Sequence, residues 1–230
     1  MSQRVFITGA GRGLGLEFVR QYLAAGAQVY AAAREPRAGK LGRLAEEHAD
    51  RLTLVPLDVT REPELRTAVG TVRAQSGALD ILINNAAINL RGIGLGTYER
   101  TAMLEVLHVN AVAPILIGQA FRELLQRGTT PRLINVSSQV GSFSWNKGGS
   151  SPLYAASKAA LNMYTRSFAR EGAPIITIAV HPGWVQTDMG GASAPLTPVQ
   201  AVEQLRALFQ RLVPADNGQF YNYDGRLHPY

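Results

Sequence analysis

Six short apolar runs constrain this chain more than any other feature. They are Arg4–Thr8, Gln28–Ala32, Leu52–Pro56, Leu79–Asn84, Arg132–Ser137 and Ile175–His181. A strand with one wet face alternates apolar and polar residues. These runs do not alternate, so they predict strands buried on both faces of a parallel sheet. A seventh run, Gln219–Tyr221, follows near the end. Between the runs lie stretches of helical spacing: Leu14, Phe18 and Tyr22; Ala156, Ala160, Tyr164 and Phe168; and Val199 to Leu212. Strand and helix in alternation predict an α/β fold, a doubly wound parallel sheet of about seven strands with helices on both faces. No repeat, low-complexity tract or linker interrupts the pattern, so residues 1–230 read as a single domain.

Composition removes several function classes. The chain is 46% apolar and 17% charged and contains no cysteine. Thiolate metal sites, disulfides and a cysteine nucleophile are therefore excluded. The four histidines are scattered with no carboxylate cluster, which predicts no metal site. The net charge is +6, and the only lysines are Lys40, Lys147 and Lys158, the other basic residues being arginines that form no run. No basic stripe interleaved with aromatics predicts nucleic-acid binding, whereas a basic balance suits anionic small molecules. No apolar run approaches the ~20 residues of a membrane helix, so no membrane insertion is expected. The start, MSQRVFITGA, reads as a strand and not a secretory leader, and a cytoplasmic location is expected.

The first strand runs into Thr8-Gly9-Ala10-Gly11-Arg12-Gly13-Leu14-Gly15 and then a helix. Glycine admits positive φ and lets backbone approach a ligand closely. A helix amino terminus offers unpaired N–H groups and a positive dipole end to a phosphate. This context predicts a Rossmann-like, dinucleotide-binding turn. Acid at the end of the second strand selects NAD through the ribose 2′-hydroxyl. Here that strand ends Ala31-Ala32-Ala33-Arg34, followed by Glu35, and Arg12 sits inside the turn. Two guanidiniums there suit a 2′-phosphate, so NADP(H) is favoured over NAD(H).

Tyr154-Ala155-Ala156-Ser157-Lys158 opens a helix, and residues four apart share a face. A phenol near pKa 10 is a poor acid–base group at neutral pH, and a neighbouring ammonium lowers it. Tyr154 and Lys158 are thus a candidate acid and its modulator. The fifth strand ends Asn135-Val136-Ser137-Ser138, where either hydroxyl has access to a substrate carbonyl. Gly141–Pro152 and Trp184–Pro198 are loops at strand carboxyl ends, and the second is expected to form a flexible flap over the site. Phe143, Trp145 and Trp184 either wall the pocket or pack on the protein itself. His181, before a proline at a strand end, reads as structural. Asp58 reads on its own as a helix cap ahead of a ligand.

The motifs T-G-x-x-x-G-x-G, N-N-A (Asn84-Asn85-Ala86), N-V-S-S, Y-x-x-x-K and P-G-x-x-x-T (Pro182, Gly183, Thr187) occur in one order across nearly the whole chain. In this the chain resembles the short-chain dehydrogenase/reductase superfamily. The family's N-N-A-G ends here in Ala87. The resemblance implies catalytic roles for Asn110, Ser138, Tyr154 and Lys158, with Ser138 the working serine and Ser137 its alternative. It implies that Lys158 holds the nicotinamide-ribose hydroxyls and that Asn110 supports a proton relay. It implies cofactor contacts from Thr8, Gly9, Gly11, Arg12, Gly13, Leu14 and Gly15, from Arg34, from Asp58 and Val59 at the adenine, from Asn85, Ala86 and Ala87 in the groove, from Tyr154 and Lys158, and from Pro182, Gly183, Val185 and Thr187 at the nicotinamide. Val140-Gly141, the residues from Pro182 to Gly191, and the segment Asn217 to Tyr230 are similar to the C-factor and sniffer-type carbonyl reductase branch. The expected activity is hydride transfer between NADP(H) and a small-molecule carbonyl or alcohol. A signalling protein of C-factor type with little turnover, or an NAD-dependent alcohol dehydrogenase, is the alternative. Pairing as a homodimer or homotetramer is implied through helices at Ala111–Gln126 and Leu153–Ala169.

Overall fold

The computed structural model describes residues 2–146, 148, 151–172 and 174–230. Seven strands run parallel: β1 (Arg4–Thr8), β2 (Gln28–Ala33), β3 (Leu52–Pro56), β4 (Ile81–Asn84), β5 (Arg132–Val136), β6 (Ile176–His181) and β7 (Phe220–Asn222). Their order is β3-β2-β1-β4-β5-β6-β7. Val5 faces Val29 on one side and Ile81 on the other. The helices are α1 (Gly13–Ala24), α2 (Gly39–Glu47), α3 (Glu62–Gln75), α4 (Arg100–Leu107), α5 (Ala113–Ala120), α6 (Arg122–Gln126), α7 (Pro152–Glu171) and α8 (Pro198–Arg211).

The strands supply two cores because successive side chains point to opposite faces. Val5 and Ile7 join Phe18 of α1 and Phe209 of α8, whose rings lie 6.1 Å apart. Phe6 between them faces the other layer, with Val69 of α3, Ile117 of α5 and Phe121 at a ring separation of 4.5 Å. The uninterrupted apolar runs are thus the cost-free solution for strands covered twice.

Four sequence expectations are revised. The fourth strand starts at Ile81, not Leu79. Leu79 N–H bonds to the Leu124 carbonyl at 2.8 Å. The Asp80 carboxylate gathers the Arg4 guanidinium at 2.9 Å and the Arg4 and Thr129 N–H groups at 2.8 Å. The helix expected at Ala111–Gln126 is broken into a π turn at His108–Val112, then α5 and α6. Residues Arg100–Ala120 are apolar and long enough to count as a candidate membrane span by length and composition. In the fold that segment is interrupted by the π turn and packs on α7. The stripe Ala156, Ala160, Tyr164 and Phe168 is not the buried face of α7. The buried side chains are Leu153, Ser157, Lys158, Leu161, Asn162, Thr165 and Ala169. Polar residues are tolerated there because each finds a partner: Thr165 accepts from Asn135 Nδ2 at 2.9 Å, and Asn162 accepts from Ser137 at 2.6 Å.

Candidate active site

The strand order reverses between β1 and β4, so the loops leaving their carboxyl ends diverge and open a crevice. On the β1 side, Gly9 and Gly13 have φ of 64° and 54°. A Cβ on Gly15 would lie 2.1 Å from the Gly9 carbonyl oxygen, so only glycine lets α1 start so close to the turn. The α1 N-cap is Arg12, whose side chain does not cap the first-turn N–H groups. Those donors, at the positive end of the helix dipole, form a cradle of the kind a phosphate occupies. Thr8 Oγ1 accepts from the N–H groups of Asn85 at 3.0 Å and Ala86 at 3.1 Å. Asn85 Nδ2 donates to the Thr8 and Gly9 carbonyls at 3.0 and 3.2 Å. Thr8 and Asn85 therefore hold the turn against the end of β4, with Ala87 following half-buried.

Arg34 directly follows β2 and is exposed. Arg12 turns to the loop after β6 and pairs with Asp188 at 2.9 Å. Burial acts to raise Asp58, but hydrogen bonds from Thr60 and the charges of Arg34 and Arg61 hold its carboxyl below the usual range. Asp58 Oδ1 accepts from the Thr60 N–H at 3.0 Å and hydroxyl at 2.7 Å. The α3 N-cap is Arg61, so Asp58 closes a turn ahead of the helix and does not cap it. Val59 lies half-buried within that turn.

Beyond β5, Ser137 is buried and its hydroxyl is committed to Asn162 at 2.6 Å. Ser138 faces the crevice together with Tyr154, from the first turn of α7. Burial pushes the Tyr154 phenol up to about 12, and a hydrogen bond with Ser138 acts against that rise. Lys158, one turn further on, is buried; its Nζ donates to the Val136 carbonyl at 2.8 Å and stands 5.6 Å from the Tyr154 ring centroid. Burial pushes the Lys158 amine down to about 7. This corrects the expectation that the ammonium depresses the phenol. Lys158 is fully buried and Tyr154 half-buried at the cleft; burial favours the neutral form of each, so the phenol is protonated at neutral pH. Gly141 makes the approach possible: a Cβ there would lie 2.7 Å from the Lys158 carbonyl carbon.

Asn110 lies in the π turn and is fully buried. Its Oδ1 accepts from the Ile88 N–H, and its Nδ2 donates to the Ile88 carbonyl, both at 2.8 Å, and to Ser157 Oγ at 3.0 Å. Ser157 in turn donates to the Tyr154 carbonyl at 2.7 Å. Asn110 thus ties the chain leaving β4 to the turn of α7 that carries Tyr154. A π turn offsets side chains from the α-helical register, and this one places Asn110 at the junction.

A profile of the short chain dehydrogenase family matches residues 3–195. The chain belongs to that family. The C-signal protein of Myxococcus xanthus is 36% identical over 157 residues, covering 67% of this chain and 95% of the relative. The NADPH-bound carbonyl reductase from chicken fatty liver is 33% identical, with a TM-score of 0.91 over 100% of this chain and 99% of that one. The carbonyl reductase Sniffer of D. melanogaster is 30% identical, with a TM-score of 0.94 over the full length of both. The fold is that of an oxidoreductase.

In this short-chain dehydrogenase, the crevice widens into a cleft of about 1150 Å³. Leu14, Ser138, Tyr154, Pro182, Gly183, Val185 and Thr187 all border it. The structure thus gathers residues from positions 14 to 187, while Asn110 and Lys158 sit beneath the surface. The segment Trp184–Pro198 is tied to itself: Gln186 N–H donates to the Leu196 carbonyl at 2.8 Å, and Trp184 Nε1 to the Gly190 carbonyl at 2.7 Å. It presses Thr187 against Gly13, where a Cβ would meet Thr187 Cγ2 at 3.3 Å. These bonds hold the segment expected to form a flap together as one unit. Of the three aromatics considered for the wall, Trp184 borders the cleft, while Phe143 and Trp145 project to solvent. Within the loop Gly141–Pro152, Lys147, Gly149 and Ser150 lie outside the described residues.

One part of the cleft was read as structural, and another was missed. His181 borders the cleft; burial, with the nearby His228, pushes it down to about 4, so it is a neutral imidazole at neutral pH. The segment from Asn89 to Tyr98 forms the opposite wall. Its glycines at 92, 94 and 96 were the available signal.

Proposed function

We propose that the chain is an NADP(H)-dependent carbonyl reductase acting on small-molecule carbonyl compounds, with Ser138, Tyr154, Lys158 and Asn110 as its working set. The observation that carries this is the Ser138–Tyr154 pair at the cleft surface, with the Lys158 amine buried below it. The uncapped amino end of α1 and the close approach of Gly9 to Ala86, where a Cβ would be 2.9 Å from Ala86 Cα, fit a bound dinucleotide pyrophosphate. The residues proposed to hold the cofactor are Thr8, Gly9, Gly11, Arg12, Gly13, Leu14, Gly15, Arg34, Asp58, Val59, Asn85, Ala86, Ala87, Tyr154, Lys158, Pro182, Gly183, Val185 and Thr187. Arg34, with no acid at the end of β2, favours the 2′-phosphate of NADP(H) over NAD(H), and the chicken carbonyl reductase is an NADPH-bound relative.

When bound, the nicotinamide supplies or takes up a hydride. The chain's own part is proton handling and orientation. Ser138 donates to the carbonyl oxygen and polarises the bond. Tyr154, protonated at neutral pH, gives its phenolic proton to the oxygen as negative charge develops there. Lys158 neutralises the phenolate that remains. The phenolate charge forming beside Lys158 favours its ammonium form, offsetting the burial that disfavours it. Asn110 positions Tyr154 through Ser157.

The test is NADPH oxidation against a panel of aldehydes and ketones. Tyr154→Phe is expected to lower turnover by about 10²- to 10⁴-fold while nucleotide binding persists. Turnover retained in that variant refutes the assignment. Arg34→Ala is expected to weaken NADPH binding by about tenfold and leave NADH binding alone; equal effects refute the cofactor preference. The C-signal relative supports a signalling reading, and absence of turnover with every carbonyl tested would favour it. Val112, Leu116, Met163 and Tyr164 are exposed around α5 and α7. They are the surface proposed for pairing of two chains, to be checked by the solution mass of Tyr164→Glu.

A further inference from the structure

The cleft wall is apolar and aromatic on its outer side, where Leu95, Tyr98, Trp184 and Met189 border it. Among the described residues it carries one permanently charged side chain, Arg91, and no carboxylate. Arg91 is exposed at the mouth, and its Nη2 donates to the Met189 carbonyl across the opening. Among the described residues no carboxylate lies within ion-pairing distance of it. The acid beside Met189 in the sequence is Asp188, and it is already paired with Arg12 at 2.9 Å. The mouth therefore holds a guanidinium whose acceptor is a neutral carbonyl, next to an apolar wall.

We propose that the substrate is a carbonyl compound with an apolar or aromatic body and a carboxylate group, the carboxylate being taken by Arg91 at the cleft mouth. This rests on the reductase reading above and names its substrate class. A carboxylate presents two oxygens to the planar fork of the guanidinium, which a backbone carbonyl cannot match. The pair sits at the rim in contact with solvent, so its contribution is modest and weakens with salt. The apolar wall accommodates the body of the substrate but does not distinguish an acid from its ester. Arg91 does.

The experiment compares kcat/KM for para-carboxybenzaldehyde and its methyl ester, and for the longer biphenyl acid and ester. At low ionic strength the acid is expected to exceed its ester by roughly three- to tenfold for at least one length. The ratio is expected to fall toward one in Arg91→Gln and with added salt, and to invert in Arg91→Glu. Esters equal to or better than the acids at both lengths overturn the proposal. So does a preference that survives Arg91→Gln. If neither acid nor ester is reduced, the reductase reading fails separately. Binding then decides the proposal: Trp184 fluorescence, in a Trp145→Phe background, is titrated with acid and ester. A preference for the acid that Arg91→Gln abolishes supports the proposal, and equal binding overturns it.

Discussion

Replacing Lys158 by Met should stabilise the protein while destroying its turnover, and the size of the gain should depend on pH in a defined direction. Burial lowers the Lys158 amine from 10.5 to about 7. At ~1.4 kcal/mol per pH unit, that fall corresponds to about 5 kcal/mol of penalty for holding the ammonium in the fold. The sign follows from linkage. Between the folded and unfolded values the unfolded chain binds more protons, so stability rises with pH. The penalty is complete below about pH 7, fades above it, and is gone above the ordinary value of 10.5. Methionine removes the charge and keeps the volume, but it abandons the Val136 carbonyl that Lys158 bonds at 2.8 Å. An unpartnered buried carbonyl costs ~1–3 kcal/mol. At pH 6 the Lys158→Met chain should therefore be more stable than the wild type by about 2–4 kcal/mol. From pH 7 to pH 9 the wild type should close about 2–3 kcal/mol of that gap. Urea unfolding of both chains across this range, without nucleotide, measures it. Parallel stability curves would refute the reasoning, because they would mean that Lys158 is not desolvated in the fold. The loss of turnover expected in the same variant would show stability given up for function.

Three further substitutions test the site's supports and, as a contrast, an unencumbered helix glycine. Gly15→Ala places a Cβ 2.1 Å from the Gly9 oxygen and should cost more than about 3 kcal/mol or prevent folding. Gly70→Ala, in mid-α3 with nothing within 4 Å, should stabilise by ~0.5–1 kcal/mol in the same denaturation assay. Asn110→Ala leaves the Ile88 N–H and carbonyl without their side-chain partner and should cost ~2–3 kcal/mol. Because Asn110 acts through Ser157, its loss should lower kcat more than it raises KM, a split that steady-state kinetics would reveal; stability and kinetics both unchanged would remove Asn110 from the positioning role.

The strand residues and the glycine turn were legible in the sequence for a local reason. A strand covered on both faces must be apolar at every position, and a helix starting beside a strand must have glycine where no Cβ fits. Gly9, Gly13 and Gly15 carry that requirement in their spacing, and Tyr154 and Lys158 carry theirs in the turn of one helix. The boundaries at Leu79 and Ser137 were misplaced because both residues are buried by tertiary partners, Leu124 and Asn162, that no local pattern announces.

The sequence by itself determined the layered α/β architecture and the pairing of a phenol with an amine, because both depend on residues within one turn or one strand of each other. Only the tertiary structure decided the burial of that amine, the partner of Arg12, the buried polar face of α7 and the placing of Arg91 across from Met189. Each of those depends on how much water is removed and which distant group arrives in its place, and both are set by packing between segments far apart in the chain.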